Sequence, residues 1–224
     1  MTDNTQESLF SRLFSEPGTV YTRLLEDIAR GVFVSGDRLV TTALAQRYAT
    51  SINPVREALK QLQGEGLVSF QRNSGARVMH FEYTTMRDVY ELLQLLEPYL
   101  LDWFIEEHTE APLARLEALL EEMKALTTKD VDRFKELDTL FHWEMYRHHY
   151  NRDVVDLWKR QRLRLLALHA NMPISGSRIQ TAIDEHEAII APLRQRDKTA
   201  ARAALVQHIH SGGDYWSRLV RSHR

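Results

Sequence analysis

The chain has 224 residues and no cysteine, and its 29 Lys and Arg residues nearly balance 31 Asp and Glu residues. The absence of cysteine excludes disulfides and thiolate metal sites, and the small net charge argues against a protein that coats nucleic acid without selectivity. The N-terminus has no apolar run long enough for a signal peptide or a membrane span, so we expect a cytoplasmic protein with no membrane partner. Its hydrophobic content of 43% can supply the cores of one large or two modest domains.

The first 80 residues begin with a polar segment and continue with two short helices. Residues 1–18 form an N-terminal tail, which is either frayed or a short docking helix. A first helix is then predicted, because apolar residues recur at helical spacing and form one face: Tyr21, Leu24, Leu25 and Ile28. Gly31 is expected to end this helix. A second helix, before a turn at Ala49 and Thr50, is predicted on Leu39, Leu44, Ala45 and Tyr48.

The stretch Ser51–Val68 predicts a third helix with two different faces. Ser51 is a suitable N-cap, and Pro54 falls in the first turn, where its missing N–H does no harm. One apolar face, which can pack, is formed by Val55, Leu59 and Leu62. Another face, which can contact a polyanion, carries Asn53, Arg56 and Lys60. Gly64 and Gly66 are expected to end this helix.

A short hairpin follows the third helix. Apolar residues flank the turn sequence Asn73-Ser74-Gly75, which is typical of two paired strands. Two helices, a tight turn, a third helix and a hairpin make a winged helix-turn-helix, here residues 19–79. Between Arg38 and Arg77 the chain has six cations and two anions, a modest basic patch that suits sequence-selective DNA binding.

Residues 20–78 resemble the DNA-binding domain of the GntR family of bacterial transcription regulators, through the segments PVREAL, EGLV and SGARV. The resemblance implies a double-stranded DNA operator as partner. The residues expected to contact DNA are Thr42, Ser51, Ile52, Asn53, Arg56, Lys60, Arg72, Ser74 and Gly75.

This chain departs from the family pattern at positions that bear on DNA sequence preference. Family members commonly carry an acidic-basic pair where this chain has Thr41 and Thr42, and an arginine where it has Ile52. The turn residue is Ala49 where glycine is usual, which would cost about 1 kcal/mol if its φ is positive. These departures predict an operator that differs from the commonest one in the family.

After residues 80–83, an expected linker, the pattern is helical with almost no strand signal. Thr84 or Thr85 could cap a long helix whose inward face is Val89, Leu92, Leu93, Leu96 and Leu100. Five further helices fit residues 112–126, 130–149, 153–169, 177–196 and 199–221. The predicted fold is therefore mainly α: an N-terminal winged helix-turn-helix followed by a C-terminal all-α helical bundle, residues 84–224.

Ligand-type residues occur on the inward faces of three of these helices. Asp138 and His142 are four residues apart within one apolar stripe and can share a cation; His186 and His208 lie on the inner faces of the last two helices. A single such histidine is more often a satisfied core residue than a ligand. Without a cation, however, Asp138 would face three imidazoles in an apolar bundle, which is costly. The set predicts a divalent ion, with Zn²⁺ favoured and Ni²⁺, Mn²⁺ or Fe²⁺ possible.

This ligand set is similar to the metal-binding, all-helical (FCD-type) ligand domain of the FadR-like branch of the GntR family. The resemblance implies that the metal forms the floor of a pocket for a small effector, such as an organic acid. That branch often places a pocket arginine where this chain has Leu93, and Arg162 or Arg164 could substitute. Four further histidines, His148, His149, His169 and His210, are expected to be surface residues or neighbours of the site.

The sequence therefore predicts a ligand-responsive transcription regulator, a homodimer on a two-fold-related operator, with the dimer contact and the effector in the helical domain. A metal-dependent hydrolase could use the same four ligands, but the sequence has no H-E-x-x-H or other catalytic signature. A purely structural helical module would not explain ligand-type residues on three helices. The identity of the effector, the target genes, the metal and the sign of regulation stay open at this point.

Overall fold

The chain divides into two compact units. The computed structural model describes residues 9, 13, 18–71, 75–80, 83–127, 129–170 and 172–222. The first unit contains the described residues up to 80 together with those of Leu166–Met172, and the second contains the rest. All elements of the predicted DNA-binding domain belong to the first unit, whereas the four predicted metal ligands belong to the second.

Between residues 18 and 80, three helices and a small sheet form a winged helix-turn-helix, as predicted. The helices are α1 (Val20–Ala29), α2 (Thr41–Arg47) and α3 (Ile52–Gly64), and the strands are β1 (Arg38–Leu39), β2 (Val68–Gln71) and β3 (Gly75–Val78). β3 is the central strand and pairs antiparallel with both β1 and β2. Two described residues of the N-terminal segment, Leu9 and Leu13, are helical and buried.

The core of this unit is made by the predicted apolar faces of α1 and α3. Their most buried members, all at most 1% exposed, are Leu24, Leu25, Ile28, Val55, Leu59 and Leu62. Asp27 of α1 links this core to the end of α2, because its Oδ2 accepts hydrogen bonds from the Tyr48 hydroxyl (2.8 Å) and from Arg47 Nε (2.7 Å). The core thus holds α3 with its polar side directed outward.

One local prediction for this unit was wrong, and two were confirmed only in part. Leu39 lies in β1, paired with Ala76, and not on α2; a two-residue strand is too short to produce a recognisable alternation. Gly64 is the last residue of α3, and it is Gly66 that turns the chain, with a φ of +75°. Ser51 precedes the helix as its N-cap residue, but its side chain makes no capping hydrogen bond.

Six helices follow in the described chain from residue 83 to residue 222, which confirms the all-α bundle. They are α4 (Tyr83–Glu107), α5 (Glu110–Lys124), α6 (Val131–Tyr146), α7 (Arg152–His169), α8 (Gly176–Arg194) and α9 (Lys198–Ser222). The most extensive helix contacts are those of α9 with α4 and α8, and of α5 with α6. None of the described helices combines the length and the apolar character needed to cross a membrane.

The start of α4 differs from the prediction. The helix already includes Thr84 and Thr85, so neither is its N-cap residue. Two residues expected in the core, Leu92 and Leu96, are only half-buried, because α4 is covered on one side by α9 and keeps another side towards solvent. Residues 81 and 82 of the expected linker lie outside the described part of the chain.

The far end of α4 is fastened by an arginine from another part of the bundle. Arg196, in the turn between α8 and α9, donates to the carbonyl oxygens of Ile105 (2.8 Å), Glu106 (3.0 Å) and His108 (2.7 Å). The last carbonyls of a helix have no partner within the helix. Arg196 supplies one, and so joins α4 to the two helices that carry His186 and His208.

The turn between α2 and α3 carries backbone strain that a single substitution can relieve. Ala49 has a φ of +51°. This positive φ is the condition under which a non-glycine residue was expected to cost stability at this position. We expect Ala49→Gly to raise the free energy of unfolding by about 1 kcal/mol, because glycine has no Cβ to clash in this region. Denaturant unfolding with spectroscopic detection measures the effect.

The same substitution on α2 gives the control. Ala43 is exposed in the helix, where glycine should lower the stability by about 0.5–1 kcal/mol. If both variants lose stability, the strain at Ala49 is not real.

Candidate functional site

The four predicted metal ligands come together in the second unit. One ligand atom from each of Asp138, His142, His186 and His208 lies within 4.8 Å of the other three. The Nε2 atoms of His142 and His208 are 3.3 Å apart. Asp138 Oδ1 lies 3.4 Å from His186 Nε2 and 3.9 Å from His208 Nε2. Side chains from α6, α8 and α9 therefore converge on one point.

Apolar helix faces bring these side chains together. His142 and His186 are fully buried, and His208 is 6% exposed, because each lies within the stripe that packs against the neighbouring helices. The Asp138 side chain is 21% exposed, so solvent reaches the cluster at the carboxylate. The three imidazoles are thus shielded from solvent, whereas the Asp138 carboxylate is partly exposed.

Two of the three imidazoles donate a hydrogen bond from the outward nitrogen, Nδ1. His186 Nδ1 donates to the Ala182 carbonyl oxygen of its own helix (2.6 Å), and His208 Nδ1 donates to Glu185 Oε2 (2.9 Å). His142 Nδ1 lies 3.0 Å from Glu97 Oε2, a close contact without the alignment of a hydrogen bond. A neutral imidazole that carries its proton on Nδ1 has its lone pair on Nε2.

The inward nitrogens of His186 and His208 therefore present lone pairs to the centre of the cluster. His186 Nε2 is buried and has no hydrogen-bond partner among the described residues. Burial and the neighbouring His186 lower the pKa of His208 to about 4, so this imidazole is neutral at physiological pH. Three imidazole nitrogens and a carboxylate oxygen are a donor set suited to a divalent ion.

Asp138 has a partner that the sequence argument did not foresee. Its Oδ2 accepts a short hydrogen bond from Arg162 Nη2 of α7. Burial by itself would raise the pKa of Asp138, but Arg162 and His186 outweigh it and hold that pKa well below its usual range. The expectation that Asp138 would face only imidazoles without a cation was therefore wrong. The case for a metal instead depends on the imidazole lone pairs.

Two further carboxylates belong to the site, and the sequence analysis missed both. Glu97 of α4 is completely buried, and Glu185 precedes His186 on α8. Burial would raise the pKa of each, but His142 beside Glu97 and His208 beside Glu185 lower both values to about 2. A signal was available for Glu97, because an acidic residue interrupts an otherwise apolar stretch of α4.

The predicted effector-pocket residues have different surroundings. Leu93 is buried in α4, and Arg162 lies at the cluster with its guanidinium paired to Asp138. Arg164 donates to Gln161 Oε1 (3.1 Å), and burial lowers its pKa. The described contacts thus connect Arg162, but not Arg164, with the metal ligands.

The predicted DNA contacts lie on an open surface of the first unit. The exposed members of this set are Thr42, Ser51, Ile52, Asn53, Arg56, Lys60 and Gly75, while Arg72 and Ser74 lie outside the described residues. Thr19 caps α1 with its side chain, whereas Ser51 leaves the first N–H groups of α3 uncapped. Uncapped N–H groups at a helix start can bind an anion such as a phosphate.

Two family models match consecutive parts of this chain. The model described as "Bacterial regulatory proteins, gntR family" matches residues 18–78, and the FCD domain matches residues 88–211. The chain belongs to the GntR family and carries an FCD domain. It is a transcription regulator and not an enzyme, and its two-domain plan fits the FadR-like branch.

Similar proteins support this assignment over nearly the whole chain. The gluconate operon transcriptional repressor of Bacillus subtilis is 26% identical, with 84% of this chain and 77% of the relative covered. The Uxu operon regulator of Haemophilus influenzae is 27% identical, covering 92% and 82%. The solved structure of E. coli McbR/YncC is 20% identical and has the same fold, with a TM-score of 0.77 over 94% of this chain and 98% of that chain.

Proposed function

We propose that this regulator is a homodimeric repressor that binds an operator through α3 and senses a small organic anion next to a divalent metal in its FCD domain. Residues 19–79 would form the DNA-binding domain, residues 84–224 the sensing domain, and residues 80–83 the linker. The observation that carries the proposal is the convergence of three imidazole Nε2 atoms and one carboxylate oxygen. The protein would act in the cytoplasm, where the operator lies.

Electrostatics supports a metal at this point. Two nitrogen lone pairs that face each other at 3.3 Å repel unless a cation or a proton lies between them. Two imidazoles bound to one tetrahedral Zn²⁺ at about 2.0–2.1 Å place their nitrogens at a similar separation. Asp138, His142, His186 and His208 would hold the ion, which would supply a Lewis-acidic centre for an effector oxygen. We favour Zn²⁺ over Ni²⁺, Mn²⁺ and Fe²⁺, because imidazole and carboxylate are its usual ligands and its coordination can expand to five, which would leave room for an effector oxygen.

Charge supports an anionic effector. The buried cluster contains three carboxylates (Asp138, Glu97 and Glu185) and two guanidiniums (Arg162 and Arg178), so one negative charge is left. A divalent ion would make the cluster singly positive, and a monoanion would neutralise it. Arg162 Nε is buried without a hydrogen-bond partner among the described residues and is a spare donor. The name of the gluconate operon repressor is consistent with a hydroxycarboxylate.

The surface of α3 supports a direct role in DNA binding. Arg56 is exposed on the outward face, and Ile52, 38% exposed, lies at the start of the helix. We expect Arg56 to contact a base edge or a phosphate and Ile52 to contact a thymine methyl group, since an apolar side chain cannot replace an arginine at guanine. Effector binding would then change the spacing of two such helices on the operator.

Metal loading can be tested with two histidines on one helix. His208→Ala should lower both the bound divalent metal and the melting temperature, because an ion that binds only the folded state stabilises it. His210→Ala is the matched control, since this exposed residue lies one position beyond Ile209 and outside the cluster. Elemental analysis and thermal melts with and without a chelator make the measurement. Wild-type protein that contains no metal and melts identically in chelator would contradict the site.

The DNA assignment can be tested at Arg56. Arg56→Ala should weaken operator binding by about 1–3 kcal/mol at fixed salt while leaving the melting temperature unchanged. Arg194→Ala serves as control, because this exposed arginine is on α8 and pairs with half-buried Glu117. The affinity is measured by gel shift on an operator selected from random DNA. Equal affinities of the wild type and the Arg56 variant would refute the role.

Dimerisation can be tested on the second unit, where several large apolar side chains are exposed. Leu95 is 73% exposed, Tyr150 68% and Tyr99 40%, and the Tyr99 and Tyr150 hydroxyls are 2.9 Å apart. A second copy could cover this surface by two-fold symmetry, and two α3 helices would then read a two-fold-related operator. Sedimentation at micromolar concentration should show a dimer that Leu95→Glu weakens. A wild-type monomer with and without operator would rule it out.

A further inference from the structure

Glu97 is a fully buried carboxylate at the middle of α4, a helix that supplies none of the four predicted metal ligands. Its Oε1 accepts a hydrogen bond from Trp158 Nε1 (2.9 Å), and its Oε2 accepts one from the Tyr146 hydroxyl (3.2 Å). The same Oε2 lies 3.0 Å from His142 Nδ1. Burying an ionised carboxylate is costly even when it is well bonded, so packing by itself gives no reason for an acid here.

We propose that Glu97 is a positioning residue for the metal centre, which holds His142 with its proton on Nδ1 and its Nε2 lone pair directed at the ion. This inference rests on the proposed metal site. A carboxylate on the outward nitrogen of a ligating histidine fixes the ring and increases the basicity of the other nitrogen. The negative charge of Glu97 also offsets part of the positive charge that the ion brings into the core.

His142 and His186 have different neighbours at Nδ1. His186 finds its acceptor one turn back on its own helix, at the Ala182 carbonyl. Beside His142 Nδ1 lies Glu97 Oε2, which comes from another helix, α4. Glu97 therefore connects α4 with a predicted metal ligand on α6.

Glu97 is itself held from two sides. Trp158 comes from α7 and Tyr146 from α6, and both are fully buried, with their rings 5.2 Å apart in an edge-to-face arrangement. These donors leave Glu97 little freedom to rotate away from His142. The position of α4 and the geometry of the ligand set are thus linked through one side chain.

A structural role and a positioning role make different predictions for Glu97→Gln. The amide keeps the shape and can still accept from Trp158, but it removes the charge and can present an N–H to His142. We expect the affinity for Zn²⁺ to fall by about 10- to 100-fold. A purely structural role would lower the unfolding midpoint of the metal-free protein and leave the Zn²⁺ affinity unchanged.

The test titrates Zn²⁺ into chelator-stripped full-length protein in competition with a zinc-binding dye. Glu187→Gln is the matched control, since this carboxylate lies on α8, is 60% exposed and pairs with Lys124. Trp158→Phe removes one hydrogen bond from Glu97 and keeps its charge, so it should lower stability with a smaller effect on Zn²⁺ affinity. Glu97→Gln affinity within twofold of wild type would overturn the proposal.

A second measurement covers the case in which Glu97→Gln fails to fold. Long-range ¹⁵N–¹H NMR spectra of the metal-free wild type report the tautomer of each histidine. We expect His142 to carry its proton on Nδ1, and a proton on Nε2 would overturn the positioning role. Wild-type protein that binds no Zn²⁺ would remove the metal site and this role together, whereas normal wild-type binding with an unaffected Glu97→Gln variant would remove only the role.

Discussion

The second unit depends on the direction of three imidazole rings. Each ring must turn one nitrogen outward to an acceptor, so that the other three nitrogens meet. The outward neighbours are a backbone carbonyl for His186, Glu185 for His208, and Glu97, at 3.0 Å, for His142. Because neutral imidazole donates at one nitrogen and accepts at the other, the outward contacts determine the inward lone pairs. Without them the same residues would form an ordinary buried polar cluster.

The outward contacts also explain the charges buried in this bundle. Arg162 neutralises Asp138, and Arg178 bonds to Glu185 at 3.2 Å, so the acids remain ionised in surroundings that would otherwise favour protonation. The arginines lower the free-energy cost of burying the carboxylates. Glu97 and Glu185 in turn contact the outward nitrogens of His142 and His208. The proposed ion and anionic effector would carry opposite charges, so each would offset the charge that the other adds to the site.

In the first unit, the packing determines how firmly α3 is held with its polar face outward. Its apolar core fixes the helix from behind, and Asp27 joins α1 to the end of α2 through Arg47 and Tyr48. The tight turn before α3 places a non-glycine residue, Ala49, at positive φ. The strained residue thus lies in the turn that sets the direction of α3.

The helical spacing of apolar residues was sufficient to predict most of the helices of this protein from its sequence. The period of apolar residues identified the helices, and it placed Asp138, His142, His186 and His208 on inward faces because a histidine within an apolar stripe has only one direction to point. The family followed from the PVREAL and SGARV segments. Only the tertiary structure decided which residues of different elements lie together. Arg162 lies beside Asp138, Glu97 lies beside His142, and β1 pairs with β3. Such contacts join residues far apart in the chain, and their pairing depends on how packed helices and strands meet, which no local period encodes.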